Sequence, residues 1–268
     1  MAGILFMIMN IELSDRIEVD GVAAGVVAEI FSTPDDVLRF GEVMGSLSPH
    51  IRETLMITGS TALEANILSK RGLARRRPLN DVDLVISSGP SAILPSITDE
   101  FLVHHFHPTR EKGNVLMQLV EPTTKARVDV FSARATGLED RAYRLRLGAL
   151  ECRLISAEDL AARLLAIVVI VIDGKSVDPK YFDSLERLTE VIDHQLASRL
   201  WPEYRWGNNI YDFHDTLDRM KKAIAESGNL LKPTEYSQDT EAICSWCSGS
   251  NEFEIADPRK IHEILGYV

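Results

Sequence analysis

The densest hydrophobic patterning in the chain lies between residues 54 and 133, where short runs alternate with a period of two. In "DVDLVI", Val82, Leu84 and Ile86 fall on one face and Asp81, Asp83 and Val85 on the other, which predicts a strand. "ETLMITGS" predicts a buried strand ending in a tight turn, and "FLVHHFHP" and "NVLMQLVEP" predict two more strands joined by the turn-like "TREKGN". "ARVDVFS" predicts a further one, with Arg127, Asp129 and Phe131 on one face. About five strands are therefore expected in this stretch. "TALEANILSKRG" changes to helical spacing, and "STPDDVLRFGEVM" carries a helix start, with Ser32 or Thr33 as cap and Pro34 in the first turn.

Beyond about residue 135 to 150 the period becomes helical throughout. "ISAEDLAARLLAIVVIVI" follows a Ser156 cap and is apolar nearly all round. "YFDSLERLTEVIDHQLASRL" places Phe182, Leu185, Leu188, Ile192 and Leu196 at helical intervals and predicts one helix. "NNIYDFHDTLDRMKKAIAES" predicts another. The expected architecture is α/β (α+β): a mixed sheet flanked by helices, followed by a helical domain. The expected divisions are an N-terminal helical or extended segment over 1–50, the sheet domain over 51–150, the helical domain over 151–232 and a small element over 233–268. The first twenty residues are ambiguous between an added strand and a loose extension.

Composition narrows the classes. The chain has 268 residues, 45% of them hydrophobic and 26% charged, which suits a packed globular protein. A net charge of −11 excludes a generally basic nucleic-acid coat and leaves room only for a local basic site. Lys70, Arg71, Arg75, Arg76 and Arg77 form one with no acid among them. Three cysteines make no disulfide framework and, with no export signal read in "MAGILFMIMN", point to a cytoplasmic protein. "LLAIVVIVI" is too short to cross a bilayer, so no membrane association is expected.

The chemistry concentrates on carboxylates. Asp81 and Asp83 project from one strand face, at a spacing that suits a hard cation such as Mg²⁺ or Mn²⁺. Asp129 sits between Val128 and Val130, where a charge is costly unless it is paired or binds metal. If its strand lies beside the first, three carboxylates converge as in a two-metal site for attack at phosphorus. Upstream, Gly59 permits close backbone approach to a phosphate, Ser60 can bond to it, and the following helix points its positive end at the same place.

A Gly-Ser turn after a strand, then a helix, then Asp-x-Asp in a strand and a later strand Asp resembles the DNA polymerase beta-like nucleotidyltransferase superfamily. Within it, the chain is similar to the bacterial AbiEii-type nucleotidyltransferase proteins, over roughly residues 55–172. The resemblance implies that Gly59 and Ser60 hold the β- and γ-phosphates of a nucleoside triphosphate such as ATP. It implies that Asp81, Asp83 and Asp129 bind the metals, Asp129 assisting deprotonation of the acceptor hydroxyl, and that pyrophosphate leaves. The acceptor would be an RNA 3′ end, a protein side chain or a small molecule, with RNA favoured by the arginines and by the toxin-like relatives. The twenty residues between Ser60 and Asp81 exceed the usual gap. They read either as a longer loop over the site, bringing Arg75, Arg76 and Arg77 to the triphosphate or an RNA acceptor, or as a sign that the Gly-Ser match is fortuitous. Lys175 and Lys180 are further nucleotide-binding candidates, because related enzymes place a basic residue after the corresponding buried helix. The competing class is an inactive nucleotide- or partner-binding module of the same fold.

Other motifs carry less. His104 and His105 would point to opposite faces of a strand, and with His107 they read as edge or surface histidines. Arg110 and Lys112 read as a hairpin tip. Cys244-x-x-Cys247 is half of a zinc site with no second cysteine pair; His262 is one nearby donor, and free thiols are the default reading over zinc.

Overall fold

In the computed structural model the described residues are 11–87, 97, 100–106, 115–205 and 211–233. The chain divides into two compact units after Ser156.

The first unit holds a mixed sheet of nine strands among the described residues. The strands are β1 (Arg16–Val19), β2 (Val22–Val26), β3 (Leu55–Ile57), β4 (Asp81–Ile86), β5 (Leu102–Phe106), β6 (Val115–Val120), β7 (Arg127–Ser132), β8 (Tyr143–Leu147) and β9 (Leu150–Leu154). Their spatial order is β2-β1-β8-β9-β3-β4-β7-β6-β5. The pairs β9–β3 and β4–β7 are parallel and the rest antiparallel. Helices α1 (Pro34–Ser46), α2 (Pro49–Thr54), α3 (Gly59–Arg71) and the single turn α4 (Leu138–Arg141) belong to the same unit.

The expected strands between 54 and 133 are β3 to β7. The separation of 1–50 from 51–150 needs correction, because β1 and β2 form a hairpin that extends the sheet through β8. The hairpin turns at Asp20-Gly21, both at positive φ, in keeping with the turn preference of that dipeptide. The boundary region near 135–150 instead contains the β8–β9 hairpin, which turns at Gly148 (φ +57). Leu145, Leu147, Leu150 and Leu154 bury one face there. In the middle of the sheet, Val82, Leu84, Ile86, Val128 and Val130 are all buried. Each such side chain contributes about 1.5–3 kcal/mol of burial, and together they fix which face of β4 and β7 carries the aspartates.

Helix α1 starts at Thr33, whose hydroxyl accepts from the Asp36 amide (3.1 Å) while Asp36 accepts from the Thr33 amide (2.9 Å). The other Asp36 oxygen accepts from the Leu79 amide (2.9 Å), and Arg39 donates to the Leu79 carbonyl (2.7 Å). The segment entering β4 is thereby pinned to α1. Helix α3 ends at Gly72 in the left-handed conformation, and Asn66 ties it to the Ile155 carbonyl just beyond β9.

The second unit contains α5 (Ala157–Val168), which continues as a 3-10 turn (Val169–Asp173), then α6 (Pro179–Thr189), α7 (His194–Tyr204) and α8 (Phe213–Ser227). The single helix expected over "YFDSLERLTEVIDHQLASRL" is two, α6 and α7. The apolar spacing carries through the break, but Asp193 accepts from the Gln195 and Leu196 amides and starts a new helix. Two acids are buried in α5. Asp159 accepts from the Tyr204 hydroxyl (2.9 Å), and Glu158 from the Asp193 amide (2.9 Å). No helix among the described residues is long and apolar enough to cross a membrane.

Candidate metal centre

Strands β4 and β7 lie side by side in parallel, with Asp83 opposite Asp129 and Asp81 opposite Arg127. That adjacency, which alternation within each strand does not determine, gathers three carboxylates on one face. Asp81, Asp83 and Asp129 each offer an oxygen, and these oxygens lie within 4.8 Å of one another. Asp129 is buried, and the other two are half-buried. Carboxylates this close repel one another unless cations join them. The donor set is all hard oxygen: among the described residues no His or Cys belongs to the group. It fits Mg²⁺ or Mn²⁺ better than zinc.

The turn after β3 closes the site from one side. The Thr58 amide donates to the Asp83 carbonyl (2.9 Å), tying the end of β3 to β4. Gly59 follows at φ +64 as the first residue of α3. A Cβ built there would overlap Oδ2 of Asp83, so only glycine lets the helix start this close to the carboxylate. The positive end of a 13-residue helix thus begins beside Asp83, with the half-buried Ser60 next in line.

Arg127 is the site residue that sequence reasoning missed. Its Nε donates to Asp129 Oδ1 (3.0 Å) and its Nη2 to Oδ2 (2.8 Å), a two-pronged pair within one strand. Burial alone would lower the guanidinium pKa. The hydrogen bonds and charge of Asp129, with the charges of Asp81 and Asp83, outweigh burial and raise it above the ordinary arginine value. The signal was present in the sequence, since Arg127 and Asp129 alternate onto one face.

The basic loop is more ordered than a solvated tip. Arg77 Nε pairs with Glu64 Oε1 (2.9 Å), and the Arg75 amide donates to Glu64 Oε2 (2.7 Å). Glu64 is buried on α3, and Arg77 also bridges to Phe31. Arg77 is therefore engaged in holding the loop, whereas Arg75 and Arg76 are exposed. Lys180 lies in the second unit, in the first turn of α6, with its ammonium 5.0 Å from the centre of the Tyr181 ring. His104 and His105 lie on β5, where the register slips between Val103 and His105. His107, Arg110, Lys112, Cys244, Cys247 and His262 lie outside the described residues.

A mixed α/β sheet with an acidic triad on two adjacent parallel strands is thus the class that fold and site define. No known protein family profile matches the chain, and no curated protein matches it. It is similar to a solved structure described as an antigenic nucleotidyltransferase-like protein from Paracoccidioides brasiliensis, at 14% identity and a TM-score of 0.35, covering 69% of this chain and 92% of that one. The likeness is weak, and the chemistry of the site stands on its own geometry.

Proposed function

We propose that the protein is a divalent-metal-dependent nucleotidyltransferase, moving a nucleoside monophosphate from a nucleoside triphosphate to an acceptor hydroxyl with release of pyrophosphate. The observation that carries this reading is the meeting of Asp81, Asp83 and Asp129 within 4.8 Å, against a glycine-started helix. Mg²⁺ or Mn²⁺ held by these carboxylates would supply charge neutralisation at the triphosphate and a lower pKa for the attacking hydroxyl. The chain's own residues do the rest. Gly59 brings backbone amides close to the β- and γ-phosphates, and the Ser60 hydroxyl donates to them. In this reading Asp129 takes the acceptor hydroxyl's proton. Arg75 and Arg76 offer exposed cations to triphosphate or to an RNA acceptor.

The test is transfer of label from each α-labelled nucleoside triphosphate, with Mg²⁺, to separated RNA, protein and small-molecule fractions of a bacterial extract. Wild type should label one fraction, and Asp83→Ala none. Metal-independent nucleotide binding that survives Asp83→Ala, with no transfer, would instead establish the inactive binding module.

A further inference from the structure

Two rows of side chains cross the sheet on the face that carries the acids. In one, Asp81 of β4 lies opposite Arg127 of β7, and Arg127 opposite Val120 of β6. In the other, Asp83 lies opposite Asp129, and Asp129 opposite Gln118 of β6. Burial agrees with that facing. Met117 and Leu119, on either side of Gln118, are buried with Val128 and Val130 on the other face, while Gln118 and Val120 are half-buried. Gln118 is thus the next residue beyond the triad, one strand spacing or about 4.8 Å from Asp129 along the row. It is one methylene longer than the aspartate, so its amide reaches above the level of that carboxylate.

The two flanks of the triad differ. On the β3 side, Gly59 lies so close to Asp83 that a Cβ would overlap the carboxylate, and α3 starts there with backbone donors suited to phosphate. On the β6 side, the strand "VLMQLV" carries no charge, and Gln118 is its one polar side chain. Among the described residues, no hydrogen bond engages the Gln118 amide. A half-buried amide with no protein partner is open to a ligand, because it gains most from one that satisfies it.

We propose that Gln118 is an acceptor-binding residue, whose amide hydrogen-bonds the uncharged, hydroxyl-bearing end of the acceptor and holds it beside Asp129. This rests on the nucleotidyltransferase reading above. The attacking oxygen and the departing pyrophosphate stand in line across the α-phosphorus. With the triphosphate on the α3 side, the acceptor therefore comes from the opposite flank, which is β6. The acceptor oxygen forms its bond to the α-phosphorus as the bond to the bridging oxygen breaks. Pyrophosphate leaves with that electron pair, the hydroxyl proton passes to Asp129, and Gln118 exchanges no proton. A primary amide offers two N–H donors and a carbonyl acceptor without charge. That matches a hydroxyl, itself donor and acceptor, and gives no charge attraction to a phosphate or carboxylate.

The experiment uses the full-length protein with Mn²⁺, α-labelled nucleoside triphosphate and the RNA, protein and small-molecule fractions of a bacterial extract. The fraction that wild type labels is titrated by dilution, and the triphosphate is titrated separately. Gln118→Met is close in size but apolar. It should raise the half-saturating amount of the acceptor fraction about tenfold, the scale of one neutral hydrogen bond. Gln118→Asn keeps the amide but draws it back by one methylene, and should raise that amount about threefold. In both variants the KM for triphosphate, and the Mn²⁺ affinity followed by electron paramagnetic resonance, should stay within about twofold of wild type. A merely structural role would move those two quantities as well. Gln118→Asn decides alone if thermal melts show that Gln118→Met does not fold. An unchanged acceptor requirement in the deciding variant, or a rise matched by the KM for triphosphate, would overturn the role of Gln118. Absence of labelling by wild type in every fraction would instead overturn the nucleotidyltransferase reading, and this role with it.

Discussion

Two buried acids in the first unit each hold an arginine, and their surroundings give the pairs different meanings. Glu64 on α3 accepts from Arg77 Nε at one oxygen and from the Arg75 amide at the other. Asp129 on β7 accepts both its Arg127 bonds with two further carboxylate oxygens inside 4.8 Å. A buried carboxylate with donors on both oxygens is compensated, and removing its partner mainly harms folding. A carboxylate crowded by two others is worse off in isolation and better off with a cation, which is the condition for binding one. Burial of an Arg–acid pair therefore says little about function until the neighbouring charges are counted.

The comparison can be broken most sharply by removing one acid from each region. Asp83→Ala should lower nucleotidyl transfer by on the order of 10²–10³-fold or more, while thermal stability holds or rises because like-charge repulsion is relieved. Glu64→Ala should do the reverse. It strands Arg77 and the Arg75 amide, and should cost about 2–3 kcal/mol in chemical denaturation, discounted because Arg77 is partly exposed. Mn²⁺ affinity per folded molecule should stay within about twofold of wild type, since the metal ligands are untouched. Equal losses of transfer and stability in both variants would mean that the two regions are not functionally distinct.

Two glycines sharpen the contrast without touching a charge. Gly59 and Gly72 open and close the same helix region, and both sit in the left-handed conformation, at φ +64 and +68. A Cβ on Gly72 meets nothing within 4 Å, whereas one on Gly59 overlaps the Asp83 carboxylate. Gly72→Ala should cost about 1 kcal/mol, the backbone term alone, with Mn²⁺ binding unchanged. Gly59→Ala should cost at least as much, about 1–2 kcal/mol, and should also weaken Mn²⁺ binding by pushing Asp83 out of the cluster. Calorimetric titration of both variants separates the two effects. Equal Mn²⁺ affinities would show that the close approach at Gly59 plays no part in the metal site.

The sequence made the strands near the site readable because β4 and β7 each alternate cleanly and each is buried on one face. Asp129 stood out for the same reason, as a charge between two valines. The neighbour relation of β4 and β7 was not readable. It depends on the chain passing through β5 and β6, which lie beyond β7 in the sheet, and nothing in either strand encodes its partner. Arg127 was placed on the right face but not recognised, because a two-pronged pair is a matter of side-chain geometry rather than spacing. The β8–β9 hairpin was lost to a domain boundary, although "YRLRLGALECRL" alternates on both sides of Gly148. The merged helix over α6 and α7 failed for the opposite reason: its apolar positions stay in phase across a cap that only Asp193 announces.

A third buried acid supplies the smallest effect and completes the series. Glu121 closes the turn between β6 and β7, accepting from the Thr123 and Thr124 amides and from the Thr124 hydroxyl at 2.6–2.7 Å. Its donors are all neutral, whereas Glu64 and Asp129 each accept from a guanidinium. Burial alone would raise its pKa, but the bonds from Thr124 and Thr123 outweigh that and hold it below the ordinary glutamate value. The sign follows from linkage: the unfolded chain binds this proton at higher pH than the folded one. Glu121 therefore stabilises the fold fully above the ordinary glutamate pKa, and the contribution fades as pH falls through its own lower value. Glu121→Gln cannot titrate and keeps one acceptor oxygen, so it should cost about 1 kcal/mol near neutrality and flatten the acid limb of stability against pH. Melting temperatures of wild type and Glu121→Gln measured downward from pH 6 should converge on acidification. Parallel curves would mean that the turn is indifferent to the charge. The register that sets Arg127 opposite Asp81 would then have to be held by the pairing of β7 with β4 and β6 rather than by the turn.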